Sequence, residues 1–409
     1  MRNPKERNAE IAKDSPRERR SAMQKGVDHG RHGITRKRRT TECSTNFPYN
    51  SVFSVVHNTV RKKTYLWNWS LCFSALVTSA SSAFKFLPGK NYTLILRLNS
   101  VMTSLTEDFS FETDRALIET HLQELTAVPR PCHSDELEAA RGYVTRHLEG
   151  YGWDVRRHDF DVLNDVGDLN LGENLHGTNL VATRQGEFDP TRPRLCVGAH
   201  LDSRPDTPGA DDNASAVAAM LEIARLMPST WPDGGQLELE LVAFDLEENG
   251  MLGGREHARF SKESGVGLRG MVSLEMLGYC DHTPGSQSLP RTLRGLYPDT
   301  GNFIAVIGNQ NSTSFIEQFA TGMEAVDGLP VEKLQVPDNG NGLQATRLSD
   351  HSPFWDAGYP ALMITDTSFM RNPHYHMPTD TADTLDMQFL HLVTEASVKA
   401  TRQLILRGV

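Results

Sequence analysis

The chain has 409 residues, of which 38% are hydrophobic and 23% charged, enough for one large domain or two of ordinary size. Its net charge of −10 divides unevenly: residues 1–101 hold 19 Lys and Arg against 6 Asp and Glu, net +13, and residues 102–409 hold 23 against 46, net −23. Five scattered cysteines with no C-x-x-C pair indicate neither a disulfide framework nor a thiolate zinc site, and the acidic body speaks against nucleic acid as a partner.

Residues 1–42 are basic, polar and aperiodic, the pattern of disorder. The run TRKRRT reads as part of that solvated tail rather than as a patch for nucleic acid or an anionic membrane. Next, RKKTYLWNWSLCFSALVTSASSAF has the basic-then-apolar order of a secretory signal, with small residues from Ser79 to Ala83 where cleavage would fall. True signals open a chain, however. Asn68, Ser70 and further Ser and Thr also break the stretch as a membrane span near the ~20-residue minimum, so no stable span is expected. Met102 opens an ordinary acidic N-terminus. Two parts are therefore expected: residues 1–101, a poorly structured basic extension outside the working protein, and residues 102–409, the folded working domain. A start at Met102 implies a cytoplasmic protein, and use of the apolar segment as a signal a secreted one.

From Glu112 onward the elements follow in turn. FETDRALIETHLQEL has helical spacing. SDELEAARGYVTRHLEGYG is a helix capped by Ser134, with Glu136 and Glu138 in its first turn and a glycine stop. WDVRRHDF, TNLVATRQ and the apolar RPRLCVGAHLD are strands, the last buried, with Cys196 inside it. NASAVAAMLEIARLMP is a helix stopped by Pro228. QLELELVAFDLEE is a strand, GGREHARFSKES a helix and GMVSLEMLGY a strand. A Gly/Pro/Ser-rich loop spans Asp281 to Asn302. NFIAVIGN (strand), STSFIEQFATGM (helix), PALMIT (strand) and a helix over LDMQFLHLVTEASVKATRQLILRG complete the chain. The alternation predicts an α/β layered domain around a mainly parallel sheet, a class that binds ligands beyond the carboxyl ends of its strands.

Charged residues gather at those ends. His200 and Asp202 are two apart, so Asp202 can accept one ring N–H of His200 and leave the other nitrogen for a metal. Asp211, Asp212 and Asn213 follow at a helix start, where an N-cap cluster is the plain alternative. Glu247 and Glu248 end an apolar strand before a glycine turn, so that one can bind a metal while the other acts as general base. Glu275 lies inside an apolar strand, where a carboxylate needs a partner. His374 and His376 flank Tyr375 in RNPHYHMPTDT and supply further nitrogen. Two histidines and several carboxylates suit zinc, and the inventory serves two ions that share a carboxylate. Their positive charge offsets the crowded acids.

GAHLDS…GADDNAS, FDLEENGMLGG, SLEMLGY and SDHSPFWDAGYPALMITDT…NPHYHMPTDT resemble the M28 family of zinc peptidases, which includes bacterial secreted aminopeptidases and glutamate carboxypeptidases. The resemblance runs from about residue 112 to 408 and implies a three-layer α/β/α sandwich of zinc-peptidase (phosphorylase/hydrolase-like) architecture. It makes His200 and Glu275 ligands of one zinc, Glu248 and His376 ligands of a second, and Asp212 the bridge. Glu247 becomes the general base, Asp202 the acid that orients His200, and Tyr375 a donor to the oxyanion. The Asp212–Asn213 peptide bond is implied to be cis. Many members carry aspartate where this chain has Glu275.

The expected activity is hydrolysis of a peptide substrate by a metal-activated water, in the aminopeptidase branch because an acid-rich site suits a free α-amino group. The rivals are a single-zinc acyltransferase of the glutaminyl cyclase type, a carboxypeptidase, and an inactive binding ectodomain. Arg371 could hold a substrate carboxylate but reads better as the partner of local aspartates. All five ligand positions hold competent residues, which disfavours the inactive ectodomain.

Overall fold

A computed structural model describes residues 112–163 and 174–409. The expected basic extension and the apolar stretch near residues 61–84 lie outside the described residues. An eight-stranded sheet is built from β1 (Trp153–Val162), β2 (Leu175–Arg184), β3 (Arg194–His200), β4 (Glu238–Phe244), β5 (Leu268–Glu275), β8 (Ile304–Asn309), β9 (Val331–Val336) and β10 (Ala361–Thr365). The spatial order is β1-β2-β4-β3-β5-β10-β8-β9. The centre, β4-β3-β5-β10, is parallel, while β1, β2 and the β10/β8 pairing are antiparallel. The expected loop after β5 contains a short ribbon, β6 (Asp281–Pro284) with β7 (Thr300–Gly301).

Alternation along the strands makes the layers. Leu195, Val197, Ala199, Leu239, Leu241, Val272 and Leu274 join the larger core. There they meet α1 (Arg115–Leu125), α2 (Asp135–Gly150), α3 (Ala216–Leu226), α5 (Thr313–Met323) and α7 (Met387–Arg407). Cys196, Val242, Phe244, Met271 and Met363 face the other way, against α4 (Leu252–Glu263) and α6 (His351–Ala357). The result is the three-layer sandwich. Each buried Val, Leu or Phe contributes roughly 1.5–3 kcal/mol relative to exposure.

Helix ends follow the sequence signals. Ser134 Oγ accepts from Leu137 N–H at 3.0 Å, and Asp386 caps α7 through Gln388 and Phe389. The start of α4 needs its glycines. A Cβ on Gly253 would stand 2.3 Å from Asp245 O, and one on Gly254 2.5 Å from Asp350 Oδ1. Among the described residues, no helix is long and apolar enough to cross a membrane.

Candidate active site

The carboxyl ends of the four parallel strands converge. β3 ends at His200, β4 leads into Glu247 and Glu248, β5 ends at Glu275, and β10 leads toward His376. The segment 210–215 connects them by lacing into the end of β5. Asn213 Nδ2 donates to Leu274 O at 3.0 Å, and its Oδ1 accepts from Met276 N–H at 2.9 Å. Ser215 Oγ accepts from Leu277 N–H at 3.0 Å. The Asp212–Asn213 peptide bond is cis. Leu246, Met276 and His376 all take positive φ, 56°, 50° and 58°, a conformation costly for side-chain-bearing residues and concentrated at functional sites.

Two donor sets meet at Asp212. In one, His200 Nε2 lies 3.1 Å from Asp212 Oδ1 and 3.7 Å from Glu275 Oε2. In the other, His376 Nε2 lies 3.2 Å from Asp212 Oδ2 and 3.2 Å from Glu248 Oε2. Zn–N and Zn–O bonds of ~2.0–2.2 Å at tetrahedral angles separate neighbouring donors by about 3.3 Å. His200 Nε2 and Glu248 Oε1 are buried without a hydrogen-bond partner, an uncommon state that calls for another partner. On spacing and on these orphaned atoms, the residues fit zinc.

The groups around the donors depart from expectation in informative ways. His200 Nδ1 donates to the backbone carbonyl of Asp202 at 3.1 Å, and the Asp202 carboxylate stands 3.5 Å away. That carboxylate accepts the backbone N–H of Glu247 and of Glu248, each at 3.1 Å. Glu275 Oε2 accepts from Ser349 Oγ at 2.8 Å, and Ser349 pairs with Ser273 at 2.7 Å, which fixes the longer side chain. Tyr375 stacks on His376 with centroids 3.7 Å apart. His374 is not part of either donor set; its Nδ1 meets Thr379 Oγ1 at 2.9 Å. Asp211 also stands behind the site, where it accepts from Gly278 N–H at 2.9 Å and Asn372 Nδ2 at 2.7 Å. Arg371 is buried, donates to Gln287 Oε1 at 2.9 Å and Phe303 O at 2.8 Å, and feels the charge of Asp366.

Two supporting residues were not singled out from the sequence, although Asp380 sits within the stretch NPHYHMPTDT. Asp380 accepts the backbone N–H of Asp211 at 3.0 Å and of Asp212 at 3.2 Å. Arg130 is buried and donates to Leu125 O, to Leu201 O at 2.9 Å, to Pro208 O at 2.7 Å and to Gly209 O at 3.2 Å. It thereby clamps the whole loop between His200 and Asp212.

The electrostatics are those of crowded, buried charge. Burial pushes Glu247 and Glu275 above the usual carboxylate range, and burial with the nearby Asp212 raises Glu248 to about 7. Burial opposes charge on Asp212 too, but the close approach of the His200 and His376 rings, at 3.1 and 3.2 Å, holds it below its usual value. Burial lowers His376 less than Asp212 and Glu248 raise it, to about 9. Burial, then Asp212, pushes the Tyr375 hydroxyl up, so it stays a proton donor. Beside the donors opens a cleft of about 250 Å³, walled by Phe303, Ala305, Ile307, Leu334 and Met363.

The model of peptidase family M28 matches residues 179–401. YfbL of Escherichia coli (strain K12), described as uncharacterized, is 40% identical over 220 residues, which are 50% of this chain and 65% of that protein. Leucine aminopeptidase 1 of Fusarium vanettenii is 25% identical over 283 residues, 64% of this chain and 66% of that protein. The chain thus spans less than two thirds of the length of either relative. The fold is shared with BSAP, a zinc aminopeptidase from Bacillus subtilis, at a TM-score of 0.57 and 15% identity, over 73% of this chain and 97% of that one. The family match covers more than half of the chain and all five donors around Asp212, and the metal it supports is zinc: the chain belongs to peptidase family M28.

Proposed function

We propose that the chain is an aminopeptidase that works with two zinc ions, one held by His200, Asp212 and Glu275 and the other by Asp212, Glu248 and His376. The observation that carries this reading is the pair of donor sets at zinc-like spacing around one carboxylate. When bound, zinc lowers the pKa of a water from ~15.7 to about 7 and polarises a carbonyl oxygen. Glu247, next to the donors on a turn that Asp202 holds by its backbone, takes the proton of the attacking water on its carboxylate and returns it to the leaving amine. The Tyr375 hydroxyl donates to the oxygen that gains charge in the transition state. Carboxylates beside the cleft suit a free α-amino group, and the apolar wall suits a large apolar N-terminal side chain. The name of the Fusarium relative agrees with this branch. Arg371 is engaged with Gln287 and backbone carbonyls, which disfavours a carboxypeptidase. The second donor set disfavours the single-zinc cyclase type.

A panel of peptides with free and acetylated N-termini, run with and without chelator, tests the reading. The expected result is release of N-terminal Leu, Met or Phe from free peptides only, lost on chelation and restored by zinc. Cleavage from the C-terminus of acetylated peptides, or cyclisation of N-terminal Gln without hydrolysis, overturns it.

A further inference from the structure

The β6–β7 region carries a separate group of metal-type donors. Cys280 Sγ lies 3.5 Å from His282 Nε2, and an Asp386 carboxylate oxygen completes a set whose atoms all fall within 4.8 Å of one another. Tetrahedral zinc, with Zn–S of ~2.3 Å and Zn–N of ~2.0–2.1 Å, separates sulfur from nitrogen by about 3.5 Å. The donors come from two segments that backbone bonds hold together. The pairing of Asp281 with Gly301 brings His282 to Asn302, and Asp386 N–H donates to Gly278 O at 2.9 Å.

Each donor has a free lone pair to offer. Asp386 Oδ1 caps α7 by accepting from Gln388 and Phe389, which leaves Oδ2 for a cation. Asn302 Nδ2 sits 3.3 Å from His282 Nδ1. With that amide turned over, its Oδ1 accepts the Nδ1–H, and Nε2 is left bare toward the sulfur, the arrangement ligating histidines use. His282 is exposed, and Cys280 and Asp386 are half-buried, so ions reach the group from solvent and water completes the coordination. The other Cys–His–acid group, Cys196, His257 and Glu240, differs. It is sealed in the core, and Glu240 is already paired with His257 at 2.8 Å and Arg194 at 3.1 Å.

We propose that Cys280, His282 and Asp386 form a surface site for a thiophilic divalent cation of the zinc or cadmium kind, distinct from the centre at Asp212. Burial pushes the Cys280 thiol up to about 11, so it is a neutral thiol before binding. The sulfur–metal bond forms as the S–H bond breaks, and one proton passes to solvent. Gly278 joins this site to the back of the other: its carbonyl takes the Asp386 N–H, and its own N–H donates to Asp211 Oδ1 at 2.9 Å.

Cadmium titration of the zinc-loaded protein, followed by thiolate-to-metal ultraviolet absorption, tests the site. The expected result is one equivalent of absorbing cadmium per chain. C280S abolishes the band, and H282A raises the half-saturating concentration ~tenfold or more. Zinc at the same site slows alkylation of Cys280 by iodoacetamide, read by peptide mass spectrometry in the unaltered chain, so the site remains testable if a variant fails to fold. No band in the unaltered protein, a band that survives C280S, equal affinity in H282A, or alkylation indifferent to zinc overturns the proposal. The Asp212-centred donors include no sulfur and add nothing to this band. A chain that gives the band but cleaves no peptide therefore counts against the aminopeptidase reading and leaves this site standing.

Discussion

Asp202 holds Glu247 by the backbone: one carboxylate oxygen accepts the Glu247 N–H at 3.1 Å, and the other serves the next residue. The carboxylate fixes the turn that presents both glutamates, and its backbone carbonyl fixes the His200 ring. Asp202→Ala is expected to lower kcat and weaken zinc affinity, each by about 10–100-fold. Asp202→Asn, which keeps one acceptor oxygen, falls between. Turnover and zinc competition with a chelating dye check both, and an alanine variant with unchanged zinc affinity contradicts the role.

Glu247 is in neither donor set around Asp212. Glu247→Gln is therefore expected to retain zinc at the level of the unaltered protein while kcat falls by at least ~100-fold, the scale of a lost general base. Metal analysis beside steady-state kinetics separates the two effects, and near-normal turnover refutes the assignment.

Ala305 lies on the apolar wall of the cleft between Phe303 and Ile307. Ala305→Leu fills that space. The expected outcome is a loss of about tenfold or more in kcat/KM for peptides with N-terminal Leu or Phe, little change for N-terminal Ala, and an unshifted Tm; one methylene in an apolar pocket is worth ~1–3 kcal/mol. Equal losses for all substrates place the apolar side chain elsewhere.

Acid is expected to destabilise the fold through two buried histidines. Burial, with His147 and Arg225 nearby, lowers His121 to about 4. Burial lowers His351 to about 3, while its Nε2–H donates to Thr346 O at 2.9 Å. Unfolded histidine titrates near ~6.5, so between pH 6.5 and about 4 the unfolded chain binds more protons than the folded one. Stability then rises with pH across that window and is lost as pH falls through it. At pH 5 each histidine costs roughly 1–2 kcal/mol. Thermal melts from pH 7 to 4.5 read the slope. His121→Gln, which keeps a hydrogen-bonding group near the Tyr143 hydroxyl at 2.8 Å, is expected to flatten it.

Much of this was legible in the chain because strong periodicity and strong chemistry coincide. Ser134, the alanine-rich α3 and the apolar β3 and β10 announced themselves, and the acids at the ends of apolar strands stood out, but the choice of His200, Asp212, Glu248, Glu275 and His376 as one set came from the family resemblance. Other elements had no such mark. β9 is a half-exposed edge strand with Glu332 and Lys333 inside it, so its pattern is not that of a buried strand. α6 has seven residues, too few for a helical repeat to show. QLELELVAFDLEE read as one strand, yet β4 ends at Phe244 because the Asp245 side chain accepts the N–H of Leu246 at 2.8 Å and of Thr178 at 2.7 Å and turns the chain. Arg130 and Asp380 were missed for a different reason. Their partners are backbone groups brought close only by the fold, so the role of Asp380 could not be read from its place in NPHYHMPTDT, and Arg130 had no motif at all.

Asp212 gives Oδ1 to one donor set and Oδ2 to the other. On the proposed two-zinc reading, a cation at either place would stop this carboxylate from rotating and draw off part of its negative charge, so the affinity of the empty place would change with it. Linkage makes that influence mutual and equal in free energy. On that reading loading would proceed in two unequal stages, and the weaker one is where a foreign metal would be seated to give a hybrid centre.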